Sequence, residues 1–333
     1  MIGRNLKWGL IAVGLLILLL ISVLLSLYFG EISFSPGDIW NIFFNYKKED
    51  LQLAVLTQIR FPRLLLGIAV GGALSLSGAI LQGVYRNPLV EPYTLGISGG
   101  AALGVSIVLV LKTQNLIGVL ALPLAGLTGA LIVIFLVYIF SFRYGNIHIN
   151  RMLLTGVMIS FIASSVMMLL MSLASNESLR GIIFWTMGSL DEPNLFLVKV
   201  AFYSALIGLI ISYFFVQDLN ALRLGEENAL HLGVNSARSI RYLFFIASLL
   251  AGISVAVAGI IGFVGLIIPH FMRILTGNDY RILLINSFLG GAAFLVLSDT
   301  LARTIILPNE LPVGVITGIV GGISFMLILR KMH

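Results

Sequence analysis

The chain has 333 residues, 59% of them hydrophobic and 10% charged, and its mean hydropathy is +1.07. A soluble domain carries about a quarter charged residues, so a water-soluble core is excluded and an all-α polytopic membrane protein is expected. The formal charge of +6 comes from basic residues scattered at the ends of apolar segments, which points away from nucleic acid, and the lack of cysteine excludes disulfides and thiolate metal sites.

The chain opens on a short basic stretch, Met1 to Lys7, followed by an apolar run from Leu10 to Phe29. That run is too long for the core of a signal peptide and ends without a small-residue cleavage pattern, so it reads as a retained first span. A span needs about 20 apolar residues. Ten segments are candidates: 8–29, 62–83, 93–111, 116–141, 149–173, 194–216, 239–260, 263–276, 282–302 and 312–330. The eighth is short, is bracketed by Gly259, Gly262 and Gly265, and contains Pro269, so a broken or tilted segment is expected there. With ten crossings and a cytoplasmic N-terminus, 12 basic residues fall inside and 8 outside, Lys47 and Lys48 among the latter. That is the direction of the positive-inside rule. Three outer connections are substantial, 30–58, 174–193 and 303–311, and the run ESLRGIIFWTMGSL in the second suits a short interfacial helix. With no low-complexity linker and no second soluble unit, residues 1–333 read as a single transmembrane domain.

One stretch, QDLNALRLGEENALHLGVNSAR at 217–238, is too polar for hydrocarbon and falls on the cytoplasmic side. Asp218 suits the cap of a short helix through Leu224, and Gly225 suits its stop. Glu226 and Glu227 suit the first turn of a second helix, where the dipole favours acids, and Gly233 its end. Either a compact two-helix knob or a solvated connecting loop satisfies this pattern.

Glycines recur at four-residue spacing, at Gly67 and Gly71, at Gly96, Gly100 and Gly104, and at Gly314, Gly318 and Gly322. Such stripes let backbones approach closely, inside the bundle or at a subunit interface or substrate path. Arg60 and Arg63, in RFPR at the outer start of the second span, share a helix face, with Pro62 suited to the first turn; Arg303 ends the ninth span on the same side. The three arginines either receive acidic groups of a partner or anchor the span ends, Arg303 then pairing with Asp299 at i,i+4. Residues 86–101 (RNPLVEPYTLGISGGA, with Glu91) suit a rigid inner loop, and 258–281 a hinge or tight packing around a half-span.

The chemistry that is missing narrows the function. No GxxxxGK[ST] or HExxH occurs, and no paired carboxylates sit at a span centre. His148, His231, His270 and His333 lie apart, so no catalytic residue and no metal site are expected. The spans are nearly free of ionisable residues, Asp299 being the main exception. Ion coupling needs such residues, so the energy for any transport must enter from elsewhere.

Five stretches in order carry a resemblance. They are RFPRLLLGIAVGGALSLSGAILQGVYRNPLVEPYTLGISGGAALG, NRMLLTGV, the 218–233 stretch, AGIIGFVGLIIPHFMRILTGNDYR and SDTLARTIILPNELPVGVITGIVGGISF. Together they resemble the permease subunit of the type II ABC importers, the FecCD/BtuC-like family that takes up iron–siderophore chelates, haem and vitamin B12. The resemblance implies that family's fold of about ten transmembrane helices. It also implies a homodimer with a path along the shared axis, lined by the fifth and tenth spans. Two cytoplasmic ATPase subunits, carrying ATP and Mg, would dock on coupling helices at 218–233, through Asp218, Leu222, Gly225, Glu226, Glu227 and His231. An extracytoplasmic substrate-binding protein would bring acidic residues to Arg60, Arg63 and Arg303. The inner gate would match His148, Ile149 and Asn150, where relatives carry small hydroxyl residues. The implied protein is a multi-pass subunit of the prokaryotic inner membrane, in contact with lipid, with both termini cytoplasmic and no cofactor of its own. It would import a metal chelate by ATP-driven alternating access, iron(III)–siderophore first, then haem or vitamin B12. The alternatives are a stand-alone secondary transporter and an importer of an oxyanion such as molybdate.

Overall fold

The computed structural model describes residues 2–30, 51–143, 146–147, 149–192 and 194–331. Lys47, Lys48, His148 and His333 lie outside them, as does most of the 30–58 connection. Hydrocarbon offers no hydrogen bonds, so a spanning chain must satisfy its own backbone, and helices do this within one segment. In chain order the helices are α1 (Ile2–Tyr28), α2 (Phe61–Val84), α3 (Ile97–Val110), α4 (Ala121–Ser141), α5 (Ile149–Leu173), α6 (Asn176–Met187) and α7 (Leu195–Phe214). Then follow α8 (Val216–Leu222), α9 (Glu226–His231), α10 (Ser236–Ala258), α11 (Val264–Thr276), α12 (Tyr280–Thr304) and α13 (Val313–Lys331).

Each of the ten apolar segments expected from sequence is represented. Among the described residues seven helices are long and apolar enough to cross a membrane, and three apolar helices are shorter: Ile97–Val110, Val264–Thr276 and Val313–Leu327. The 174–193 connection contains the expected short helix, α6, whose N-cap Ser175 accepts from Ser178 N–H. Two boundaries differ from expectation. Residues Leu51–Ala54 are already helical, well before Pro62, and residues Val55–Arg60 wind as a wider π-helix that leads into α2. A proline ring clashes with the carbonyl one turn earlier, and a π turn relieves that crowding. The third segment, expected from residue 93, becomes helical only at Ile97, because Pro92–Leu95 form a 3-10 turn and Gly96 takes a left-handed φ of 82°.

Two of the ten apolar segments are therefore only partly α-helical. At about 1.5 Å per residue, α3 and α11 each reach about 20 Å of a hydrocarbon core about 30 Å thick. Beside them lie non-helical stretches, the turns of 85–91 before the 3-10 turn Pro92–Leu95, and residues 259–263. Exposed backbone at membrane depth is tolerated only inside protein, and here the two breaks satisfy each other. Ile261 N–H donates to the Tyr93 hydroxyl at 3.3 Å, and Phe263 N–H donates to the Glu91 carboxylate. The Gln82 amide donates to the carbonyls of Gly265 and Leu266 at 3.3 and 3.1 Å. The half-span expected at 263–276 is helical from Val264, and Phe263 takes a φ of 69° at the break before it.

Helix α2 is the axis of the fold. Nearly all of it is buried, and it packs against α12, α10, α7 and α11. Glycines set how closely the backbones approach. A Cβ at Gly71 would lie 2.3 Å from the Gly291 carbonyl oxygen, and one at Gly78 would lie 1.8 Å from that of Gly265. The first stripe therefore packs internally, as do Gly100 and Gly104 against α4. The third stripe divides: Gly314 lies against the Met187 and Ile260 carbonyls, whereas Gly318 meets nothing within 4 Å.

Helix direction follows from contacts between ends. Trp8 donates to the Thr276 carbonyl at 2.9 Å, and Arg303 to Ser26 Oγ at 2.9 Å, so α1 runs from the end that holds α8 and α9 to the end that holds the arginines. Helix α13 starts beside Met187 and Ile260 and passes Phe263 and Ile267, so it returns to the α8–α9 end.

Candidate functional site

The arginine end is a buried ionic cluster. Arg60, Arg63 and Arg303 do converge, and at 5%, 7% and 6% exposed they are buried within this chain. The physical reason is that this end of the bundle supplies their acceptors. Arg63 Nε donates to both Asp299 oxygens at 3.0 and 3.2 Å, and its Nη2 lies 2.9 Å from Oδ1. Arg303 Nε donates to Asp299 Oδ2 at 3.1 Å across one helical turn, so the i,i+4 pair suggested by sequence is present within a larger network. Arg303 also donates to Ser26 and Arg60 to the Leu27 carbonyl, which fastens the end of α1. Arg63 Nη1 donates to Glu310 at 2.7 Å.

The two acids of this cluster differ in what their loss would do. Asp299 is almost sealed from water, and removing one partner of a buried pair costs about 3–5 kcal/mol. Glu310 is 49% exposed, and a pair that water reaches is worth about 0–1 kcal/mol. The sequence reading missed Glu310. Its signal was present, an acid in PNELP seven residues after Arg303.

The opposite end carries the knob. Helix α8 ends at Leu222, Gly225 takes a φ of 108° as the N-cap of α9, and α9 opens on Glu226 and Glu227 as expected. The cap assignment of Asp218 is corrected: α8 follows α7 after the single residue Phe215, so Asp218 lies within its first turn and accepts instead from Ser239 Oγ of α10. Val216, Leu219, Leu222 and Ala229 are buried and anchor the knob in the core, and polar ties add to that hold. Asn220 bridges to α12, donating to Asp279 and accepting from Tyr280 N–H, both at 3.1 Å. Arg223 donates to the Asn278 carbonyl at 2.7 Å, and Arg86 lies 3.5 Å from Glu226. What remains outward is Glu227, Asn228 and His231 with Leu224, Leu230 and Leu232, the leucines 60–64% exposed. Exposed leucines ringed by polar groups mark an interaction surface. Beside the knob a cavity of about 210 Å³ is lined by Arg86, Arg223 and Arg273 with Gln82 and Tyr280.

Of the three gate positions, His148 lies outside the described residues. Ile149 starts α5 half-buried and Asn150 is exposed, just after a two-residue ladder pairing Phe142–Arg143 with Asn146–Ile147. Helix α5 buries little beyond Met152, Gly156 and Ala163, and leaves Leu154, Met158, Phe161 and Met168 exposed. Helix α13 likewise exposes Ile319, Ile323 and Met326. At the arginine end a cavity of about 450 Å³ is lined by Phe184, Trp185, Asp191, Glu192 and Gly259. Burial pushes the Glu192 carboxyl above its usual range, against a hydrogen bond from Asn194 N–H, and Asp191 adds to the rise. Among the described residues no group of three His, Asp or Glu side chains is placed to hold a metal ion.

Residues 18–331 match the FecCD transport family. The chain is 38% identical to the hemin transport system permease protein HmuU of Yersinia pestis over 320 residues, covering 95% of this chain and 94% of that one. It is also 38% identical to the vitamin B12 import system permease protein BtuC of Salmonella typhi over 331 residues, 98% and 96% of the two chains. Among solved structures, an inward-facing metal-chelate type ABC transporter superposes with a TM-score of 0.85 at 31% identity, covering 97% of this chain and 99% of that chain.

Proposed function

This chain belongs to the FecCD transport family, and from that premise we propose that it imports a metal chelate by ATP-driven alternating access, as a homodimer in a prokaryotic inner membrane. The coarser statement, that it is the permease of an ABC importer for a metal chelate, haem or vitamin B12, follows from relatives that match it over nearly their whole length. Iron(III)–siderophore is the substrate we favour within that class. Two ATPase subunits hydrolyse ATP with Mg, and the permease itself makes and breaks no bonds.

One observation carries the reading: a two-helix knob with Leu224, Leu230, Leu232 and Glu227 turned outward, at one end of the bundle. ATP binding draws the ATPase subunits together, and the knob transmits that motion into α10 and α12, to which Asp218 and Asn220 tie it. The arginine end faces outward and receives the substrate-binding protein, and both termini are cytoplasmic. The second copy covers the exposed faces of α5 and α13, and the path runs between the two copies. A path with so few charges binds a bulky chelate weakly, which leaves affinity to the binding protein.

Reconstitution tests this. In proteoliposomes holding the permease, its ATPase and the binding protein, uptake is expected only with ATP inside. Uptake by the permease alone under a proton gradient would instead show a secondary transporter. Gly225 offers a second check. A φ of 108° strains any L-residue by about 1–2 kcal/mol, so Gly225→Ala is expected to keep ATP hydrolysis while the substrate moved per ATP falls. Unchanged coupling would remove the knob from the mechanism.

A further inference from the structure

Glu310 is the one acid of the arginine cluster, among the described residues, that water reaches freely. It lies in the 305–312 connection, where residues Ile305 to Glu310 are all exposed, and this connection leads into α13. Two polar ties near its end hold it to the bundle: Leu311 N–H to the Ala302 carbonyl at 3.0 Å, and Glu310 to Arg63 at 2.7 Å. Helix α13 itself is thinly packed, with Gly318 facing open space and Ile319, Ile323 and Met326 exposed.

Arg63 sits between the two acids of the cluster, Asp299 and Glu310, while Arg303 shares Asp299 and Arg60 lies beside Arg303. A carboxylate arriving from outside cannot join Arg63 without displacing an acid. Asp299 cannot be the one to leave, because both arginines bind it at 2.9–3.2 Å and its side chain is only 4% exposed. Glu310 can leave, because water is ready to solvate it.

The geometry points to Glu310 as an internal stand-in, holding the seat on Arg63 that a carboxylate of the binding protein takes on docking. This rests on the reading above, in which the arginine end receives an acidic partner. Exchange explains how an arginine only 7% exposed meets a partner at all: recognition substitutes one carboxylate for another. It also frees the 305–312 connection, so docking is felt at the start of α13.

The test uses the permease with its ATPase in lipid nanodiscs, titrated with the binding protein and followed by hydrogen–deuterium exchange over 305–312. Without the binding protein, Glu310→Gln is expected to exchange faster there than wild type, at the rate wild type reaches when docked. Its affinity for the binding protein is expected to rise about fivefold, the scale of a lost half-exposed competitor. Glu310→Asp, which keeps the charge on a shorter arm, is expected to fall between the two. Docking of equal affinity to wild type and Glu310→Gln, with exchange over 305–312 unchanged, would overturn the inference and leave docking at this end intact. A failure of docking itself reads differently: reversing the binding protein's acidic residues would leave wild-type affinity unchanged, and the inference would fall with that reading.

Discussion

Replacing Asp299 with alanine is expected to lower the stability of the folded chain by about 3–5 kcal/mol, among the largest effects of any single side chain here. The residue is 3% exposed and accepts from both Arg63 and Arg303. Its removal leaves two buried guanidinium groups facing each other without their common acceptor, a loss of partners compounded by like-charge repulsion. Asp299→Asn keeps the shape and one acceptor oxygen, so it is expected to lose less. Glu310→Gln, which touches the same Arg63 from the exposed side, is expected to lose about 1 kcal/mol or less. Thermal melting of the three variants in one detergent provides the comparison. An alanine variant that melts with wild type would mean that water reaches the cluster and that its burial is misjudged. Reversing the charge of these buried arginines is likewise expected to unfold this end of the bundle. In a docking test the charges to reverse are those of the binding protein.

Gly78→Ala is the second large effect. The added methyl would lie 1.8 Å from the Gly265 carbonyl oxygen, which is backbone and has no rotamer to change. Either α2 or α11 must shift by more than an ångström, and overpacking of this kind costs about 1–3 kcal/mol or more. The shift would also reach the place where the two broken crossings meet, because Gly265 rests on Pro92 as well. Loss of folded protein in size-exclusion chromatography, with any surviving fraction inactive in uptake, is the expected result. Gly14→Ala in α1 is the control: nothing lies within 4 Å, so alanine's helix preference is expected to leave stability unchanged or slightly higher. Normal folding of Gly78→Ala would show that α2 and α11 are not in backbone contact.

Much of this protein was legible without coordinates. Hydrophobicity is a property of each residue along the chain, so all ten apolar segments, the polar 217–238 stretch and the overall class follow from sequence. The two helices about Gly225 are one of the two readings that the 217–238 pattern allows, since a glycine stop and an acidic first turn involve only neighbouring residues, whereas the cap expected at Asp218 is absent. The five ordered motifs identified the family, and with it a function that composition alone left open among several transporters.

Tertiary structure decided what depends on residues far apart in the chain. Arg63 and Asp299 are 236 positions apart, and no local pattern announces that they share a buried site, so the arginines looked like surface groups. The third segment looked like a full span because hydropathy does not register where α-helix gives way to a 3-10 turn and a left-handed glycine. Glu91 and Tyr93 reach the 261–263 backbone across about 170 residues, which is why two separate irregular loops turned out to be one joint. Local chemistry thus set which segments are helix or turn. Burial and ion pairing belong to the packed bundle, because a side chain's partners exist only once distant helices have met.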